Sequence, residues 1–191
     1  MWKEQTMGES RLEEVRQVRT EADCLCPAEA VSAAIAQMAE AITDDLADRN
    51  PLVLCVMTGA VVPTAWLLEL LAFPLELDYL HATRYDGAIQ GAELRWIHQP
   101  RMALADRTVL LVDDILDEGV TLDALQSWCR AQGAAEVRTA VLARKLHDRN
   151  HLGTSADYIG LDVPDRYVFG AGMDYKGYWR NLPAIYAVRG T

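Results

Sequence analysis

After Pro27, apolar residues recur at Val31, Ile35, Met38, Ile42 and Leu46, at steps of three and four that gather them on one face of a helix. This spacing predicts an amphipathic helix that serves core packing. Short apolar runs and helical patterns then alternate: a strand over 52–57, a helix over 62–71, a strand over 75–82, a strand over 109–113 with its helix, and a strand over 137–143 that ends at Arg144-Lys145. Strands alternating with helices in this way predict an α/β fold built on a doubly wound, mostly parallel sheet. The run Val109-Leu110-Leu111-Val112 is apolar throughout, as in a strand covered on both faces. Later pieces are shorter: Tyr158 to Leu161, Tyr167 to Phe169, and the aromatic-rich tail Asp174-Tyr175-Lys176-Gly177-Tyr178-Trp179-Arg180. A small hood lobe is expected from about 155–191, and the polar opening, about 1–27, is expected to be loosely held.

Length and charge narrow the function classes. At 191 residues the chain is expected to be a single domain, 1–191, with a substantial core. A net charge of −10 and a sequence pI near 4.8 argue against nucleic acid as a partner, because phosphate neutralisation needs a basic surface. No run has the length of a membrane span and the polar start does not resemble a cleavable signal, so no membrane partner and a cytoplasmic location are expected. Cys24, Cys26, Cys55 and Cys129 contain no C-x-x-C pair, and Cys55 lies within an apolar run, which predicts a buried reduced thiol and no disulfide framework. His81, His98, His147 and His151 show no metal-ligand spacing.

The chemistry concentrates in Thr108-Val109-Leu110-Leu111-Val112-Asp113-Asp114-Ile115-Leu116-Asp117-Glu118-Gly119-Val120-Thr121-Leu122. Here a buried strand ends in adjacent acids, and a glycine turn then opens a helix. Open parallel sheets place ligands at the carboxyl ends of their strands. Gly119 permits the tight turn, and the unpaired N–H groups that begin the helix suit a phosphate. Asp113 and Asp114 are placed to accept hydrogen bonds from sugar hydroxyls or from waters of a magnesium ion. Together these features point to a phosphorylated sugar. The rival readings are an acidic loop that only caps a helix, and a Walker B strand end; the latter requires a G-x-x-x-x-G-K-[ST] loop that the chain lacks.

Val112 to Leu122 resembles the PRPP-binding signature of the type I phosphoribosyltransferases. A second anchor, Leu161-Asp162-Val163-Pro164-Asp165-Arg166-Tyr167-Val168-Phe169-Gly170-Ala171-Gly172-Met173-Asp174-Tyr175 followed by Tyr178-Trp179-Arg180-Asn181-Leu182-Pro183, resembles the purine-selective end of the hypoxanthine-guanine branch. Order and spacing also agree at Val56-Met57-Thr58-Gly59-Ala60 and Thr83-Arg84-Tyr85, so the resemblance runs from about Ala28 to Val188.

The resemblance implies transfer of a phosphoribosyl group from PRPP to hypoxanthine or guanine, with xanthine a possible third base, giving nucleotide and pyrophosphate. It implies that Asp117, Glu118, Gly119, Val120 and Thr121 hold the 5′-phosphate, with Asp113 and Asp114 at the ribose hydroxyls. Asp117 is also implied as the catalytic residue near purine N7, acting as general base or proton shuttle. Thr58 and Gly59 are implied at the pyrophosphate, with Arg180 as a matching cation. Tyr167 is implied to stack on the purine, the Val168 backbone to meet its edge, and Lys145 to donate to its 6-oxo group. Asp174, with Asp113 and Asp114, is implied to help place Mg2+. The polar, glycine-containing stretch at Arg84 and Tyr85, where the strand–helix alternation breaks, is read as a lid over the site, against the equal reading of an ordinary surface hairpin. A homodimer or homotetramer is likewise implied. Two positions depart from the family pattern: Thr58 stands where many relatives carry lysine, with Arg84 as the candidate to compensate, and Glu118 replaces a small hydroxyl residue. Weaker PRPP binding is expected from the added charge. The alternative function is a regulatory protein that senses PRPP or nucleotide on the same fold. The full set of Asp117, Lys145 and Asp174 weighs against it, since a sensor has no need of base-reading and metal-placing groups.

Overall fold

The computed structural model describes residues 2–84, 94–150 and 153–191. The chain opens with helix α1 (Trp2–Glu21) and strand β1 (Asp23–Cys26), followed by α2 (Ala28–Leu46), β2 (Leu52–Val56), α3 (Val61–Leu70), β3 (Glu76–Arg84) and β4 (Leu94–His98). It continues through β5 (Thr108–Leu116), α4 (Val120–Ala131), β6 (Glu136–Leu146), β7 (Tyr158–Pro164), β8 (Val168–Phe169) and β9 (Ile185–Ala187). Helix α2 begins where expected: the extended Pro27 ends the preceding strand segment, and its carbonyl accepts from the Ala30 and Val31 N–H groups at 3.0 and 3.1 Å. The face predicted from periodicity, Val31 to Leu46, is buried.

Six strands form the main sheet in the order β4-β3-β2-β5-β6-β7, parallel except for β4, which runs antiparallel to β3. Their side chains alternate between two covered faces. Val53, Leu110, Val112, Ala140 and Leu142 pack with α2 and with Leu67 of α3. On the other face, Leu52, Leu54, Val109 and Leu111 pack with Leu125 and Cys129 of α4. From β2 the chain crosses to β3, and from β5 it crosses the opposite way to β6, so β2 and β5 meet at a topological switch point. Their carboxyl ends therefore flank a crevice, the place such sheets offer for a ligand.

Three features differ from the sequence expectation. Strand β5 continues past Asp113 to Leu116, because β6 offers pairing partners as far as Arg144 opposite Leu116. Strand β7 joins the main sheet, so the hood begins after Pro164. Its small antiparallel sheet, β1-β9-β8, recruits β1 from the start of the chain. The opening segment, expected to be loosely held, is helical and docks on the hood: Trp179 donates to the Val15 carbonyl at 2.9 Å, Tyr175 to Glu14 at 2.8 Å, and Arg11 to the Lys176 carbonyl at 2.8 Å. The four cysteines are free and Cys55 is buried. Among the described residues no helix is long and apolar enough to cross a membrane.

Candidate active site

At the end of β5 the loop to α4 turns at Gly119, whose φ of 81° lies in the left-handed region. A Cβ there would also lie 2.7 Å from Thr154 Cβ, so two constraints select glycine. Residues Asp113 to Leu122 wrap a cavity of about 340 Å³. The first turn of α4, whose N–H groups lack intrahelical acceptors, opens onto it with the Thr121 side chain.

The two acids before the loop, Asp113 and Asp114, line this cavity and are half-buried. Burial, and then the charge of Asp114, pushes Asp113 well above the usual carboxylate range. Burial raises Asp114 as well, countered by a hydrogen bond from Asp113 and by the Arg180 charge. Burial and mutual repulsion thus both work against full ionisation of the pair. Asp114 also presses on the turn after β2: a Cβ on Gly59 would fall 1.9 Å from Asp114 Oδ2. Gly172, at φ 105°, leans on the other side of that turn, where its Cβ would lie 2.3 Å from the Gly59 carbonyl oxygen. Arg180 closes the group. It donates to the Gly172 carbonyl at 2.7 Å, pairs with Asp174 at 2.5 Å and stands 3.8 Å from Asp114. Asp174 is fixed by the Gly177 N–H at 2.7 Å.

A second cavity, of about 160 Å³, adjoins the first and shares Asp114, Ile115 and Asp117 with it. Lys145, Tyr167, Val168, Met173 and Asp174 complete its lining. Tyr167 is 47% exposed and meets Tyr175 in an edge-to-face pair. At the junction of the cavities, Asp117 accepts from Lys145 Nζ on Oδ2 at 2.8 Å and from His147 Nε2 on Oδ1 at 2.7 Å. Burial works against ionisation of Asp117, but these bonds and the Lys145 charge hold it below its ordinary range.

Asp113, Asp114, Asp117, Glu118, Gly119, Val120 and Thr121 thus line one cavity, and Lys145, Tyr167, Val168 and Asp174 the other. Gly59 and Arg180 join them through Asp114, and Thr58 is exposed beside Gly59. The lid expectation falls mostly outside the described residues. Arg84 ends β3 opposite Leu94, and Tyr85 lies beyond that boundary. Sequence reasoning missed His147 and Arg149. The strand ends at Leu146 and the chain bends at 147–148, which leaves the His147 side chain 4% exposed and the Arg149 side chain 42% exposed. Arg149 reaches Asp117 at 3.5 Å and Glu118 at 3.9 Å, and grips Asp165 through both terminal nitrogens. No local sequence pattern singles them out, because both meet Asp117 only across the fold.

Among the described residues no three His, Cys, Asp or Glu side chains are arranged to hold a metal by themselves. The donors present are carboxylates, the chemistry magnesium prefers, and magnesium commonly takes one or two of them with substrate phosphates and water.

Comparison with known proteins agrees with this geometry. The phosphoribosyl transferase domain matches residues 23–176. The hypoxanthine-guanine-xanthine phosphoribosyltransferase of Tritrichomonas foetus is 33% identical over 151 residues, 79% of this chain and 82% of that one. A hypoxanthine-guanine phosphoribosyltransferase of Streptococcus thermophilus is 31% identical over 150 residues, 78% of this chain and 83% of that one. A solved hypoxanthine-guanine-xanthine phosphoribosyltransferase superposes with a TM-score of 0.77 at 29% identity, covering 88% of this chain and 94% of the other. The domain match, these identities and a shared fold over most of both lengths place the chain in the phosphoribosyltransferase family, in its hypoxanthine-guanine branch.

Proposed function

We propose that the chain carries out purine salvage, transferring the 5-phosphoribosyl group of PRPP to hypoxanthine or guanine and releasing pyrophosphate. The observation that carries this reading is the pair of cavities meeting at Asp117. One has a phosphate-suited helix start and the other an exposed tyrosine and a lysine donor. In this reading the loop 117–121 takes the 5′-phosphate, Asp113 and Asp114 the ribose hydroxyls, and Thr58, Gly59 and Arg180 the pyrophosphate. Tyr167 stacks on the base and the Val168 backbone meets its edge. Lys145 donates to a 6-oxo group, which favours hypoxanthine and guanine over adenine, whose 6-amino group offers another donor. Arg84 and Tyr85 belong to the segment assigned as lid, which keeps water from the activated sugar.

As the bond from ribose C1 to pyrophosphate lengthens, the sugar gains positive character, which the neighbouring acids offset, and Arg180 meets the charge on the leaving group. Asp117 takes the purine N7 proton while N9 bonds to C1. Asp174, aided by Asp113 and Asp114, would hold Mg2+, which when bound supplies charge stabilisation to the pyrophosphate. Family membership also supports a homodimer or homotetramer and a cytoplasmic location.

The test is pyrophosphate release from PRPP and magnesium with hypoxanthine, guanine, xanthine or adenine, beside an Asp117→Asn variant. Turnover of the 6-oxopurines but not adenine, reduced in the variant, is the expected result. PRPP binding with no turnover on any base would favour the sensing alternative.

A further inference from the structure

Asp117 divides its two oxygens between unlike donors. Lys145 Nζ, on a flexible four-carbon stem, bonds Oδ2 at 2.8 Å. His147 bonds Oδ1 at 2.7 Å from a side chain only 4% exposed. The state of that imidazole follows from its other nitrogen. The Arg149 backbone N–H can only donate, and it points at His147 Nδ1 at 3.0 Å, so Nδ1 is the acceptor and Nε2 carries the proton. The ring is a neutral donor with both nitrogens committed and little room to turn.

We propose that His147 is a positioning residue for the reaction: its neutral N–H pins Oδ1 of Asp117, so that when Lys145 turns to a purine 6-oxo oxygen, Oδ2 is left free and aimed to take the N7 proton. This rests on the roles of Asp117 and Lys145 under the proposed function. The step balances: the N7–H bond breaks with its pair returning to the ring and its proton going to Oδ2, while N9 supplies the pair to C1 and pyrophosphate leaves with the pair from the C1–O bond. A neutral donor suits the task, because a second cation on the carboxylate would weaken it further as a base. Arg149 does not replace His147. It grips Asp165 through two nitrogens and stands 3.5 Å from Asp117. Among the described residues, Asp165 on the turn after β7 also acts electrostatically on the ring, and Glu118 stands 3.9 Å from Arg149.

The experiment compares full-length wild type with His147→Leu, which removes the donor, and His147→Gln, which restores an N–H at similar reach. With hypoxanthine, His147→Leu should lower kcat by about tenfold or more while KM for PRPP stays within about twofold. The acid limb of its kcat/KM profile should move to higher pH, since losing a donor to the carboxylate raises the pKa of Asp117. His147→Gln should recover most of the rate at a melting temperature no higher than that of His147→Leu. A Leu variant with wild-type kcat and an unmoved acid limb would overturn the proposal, as would a Gln variant no better than Leu. Titration of the Asp117 carboxyl by carbon NMR needs no turnover. An upward shift in His147→Leu supports the proposal and no shift overturns it, even if the wild type proves idle on every purine and the salvage reading itself fails.

Discussion

Gly59 is glycine because Asp114 and Gly172 leave it no space. A Cβ at 1.9 Å from Asp114 Oδ2 forces that carboxylate aside, and the Gly172 contact prevents the turn from retreating. Gly59→Ala is therefore expected to cost about 1–3 kcal/mol of stability, as overpacking does, and to reduce kcat/KM for PRPP by more than tenfold through displacement of Asp114. Thermal melts and steady-state rates check both. A variant that melts and turns over like wild type would show that Asp114 moves freely. Asp165 gives a prediction of a different kind. The Arg149 guanidinium holds its carboxyl down at about 2. A lowered folded-state pKa contributes stability above the ordinary carboxylate pKa and loses it as pH falls toward the folded value. Asp165→Asn should melt about 1–3 °C below wild type at pH 7, and the two curves should converge as pH approaches 2. A gap that persists there would assign the effect to packing.

Helix α1 is the element that ties the start of the chain to the site. Val15, 1% exposed, anchors it, and Glu14 and the Val15 carbonyl engage Tyr175 and Trp179 in the tail that carries Asp174 and Arg180. Val15→Ala should destabilise by about 2 kcal/mol and raise KM for PRPP more than KM for hypoxanthine, since pyrophosphate rather than purine is assigned to Arg180. Equal changes in the two constants would detach α1 from the site. Neither this docking nor β1 was legible in the sequence: α1 is polar over most of its surface, and β1 and β9 span four and three residues, too short to display a period. The central strands and α2 were legible because their apolar spacing runs over whole turns and whole strands. The phosphate loop was legible because Asp113 to Thr121 are consecutive, so local order alone assembles them. His147 is different. It meets Asp117 across the β5–β6 pairing, thirty positions away, where no local pattern announces the contact.

At the scale of the whole molecule the charge is −10, and the site shares the imbalance: Asp113, Asp114, Asp117, Glu118 and Asp174 gather with Lys145, Arg149 and Arg180. The substrate proposed for this cleft is a polyanion. Like charges slow the encounter at low salt, and the repulsion is screened once the Debye length shrinks to about 10 Å near 0.1 M ionic strength. kcat/KM for PRPP should therefore rise, by about two- to threefold, as potassium chloride is added at fixed free magnesium from low to near-physiological ionic strength. An enzyme with a basic cleft would show the opposite slope. Glu118→Thr separates the local from the global contribution, because it removes one charge from the loop assigned to the 5′-phosphate and leaves the rest of the surface unchanged. KM for PRPP should fall in that variant and its salt dependence should flatten. A wild-type rate that declines with salt would mean that Arg149 and Arg180 dominate the field at the cleft mouth, and weaker PRPP binding in Glu118→Thr would mean that Glu118 holds the loop in shape through Arg149 rather than repelling its ligand.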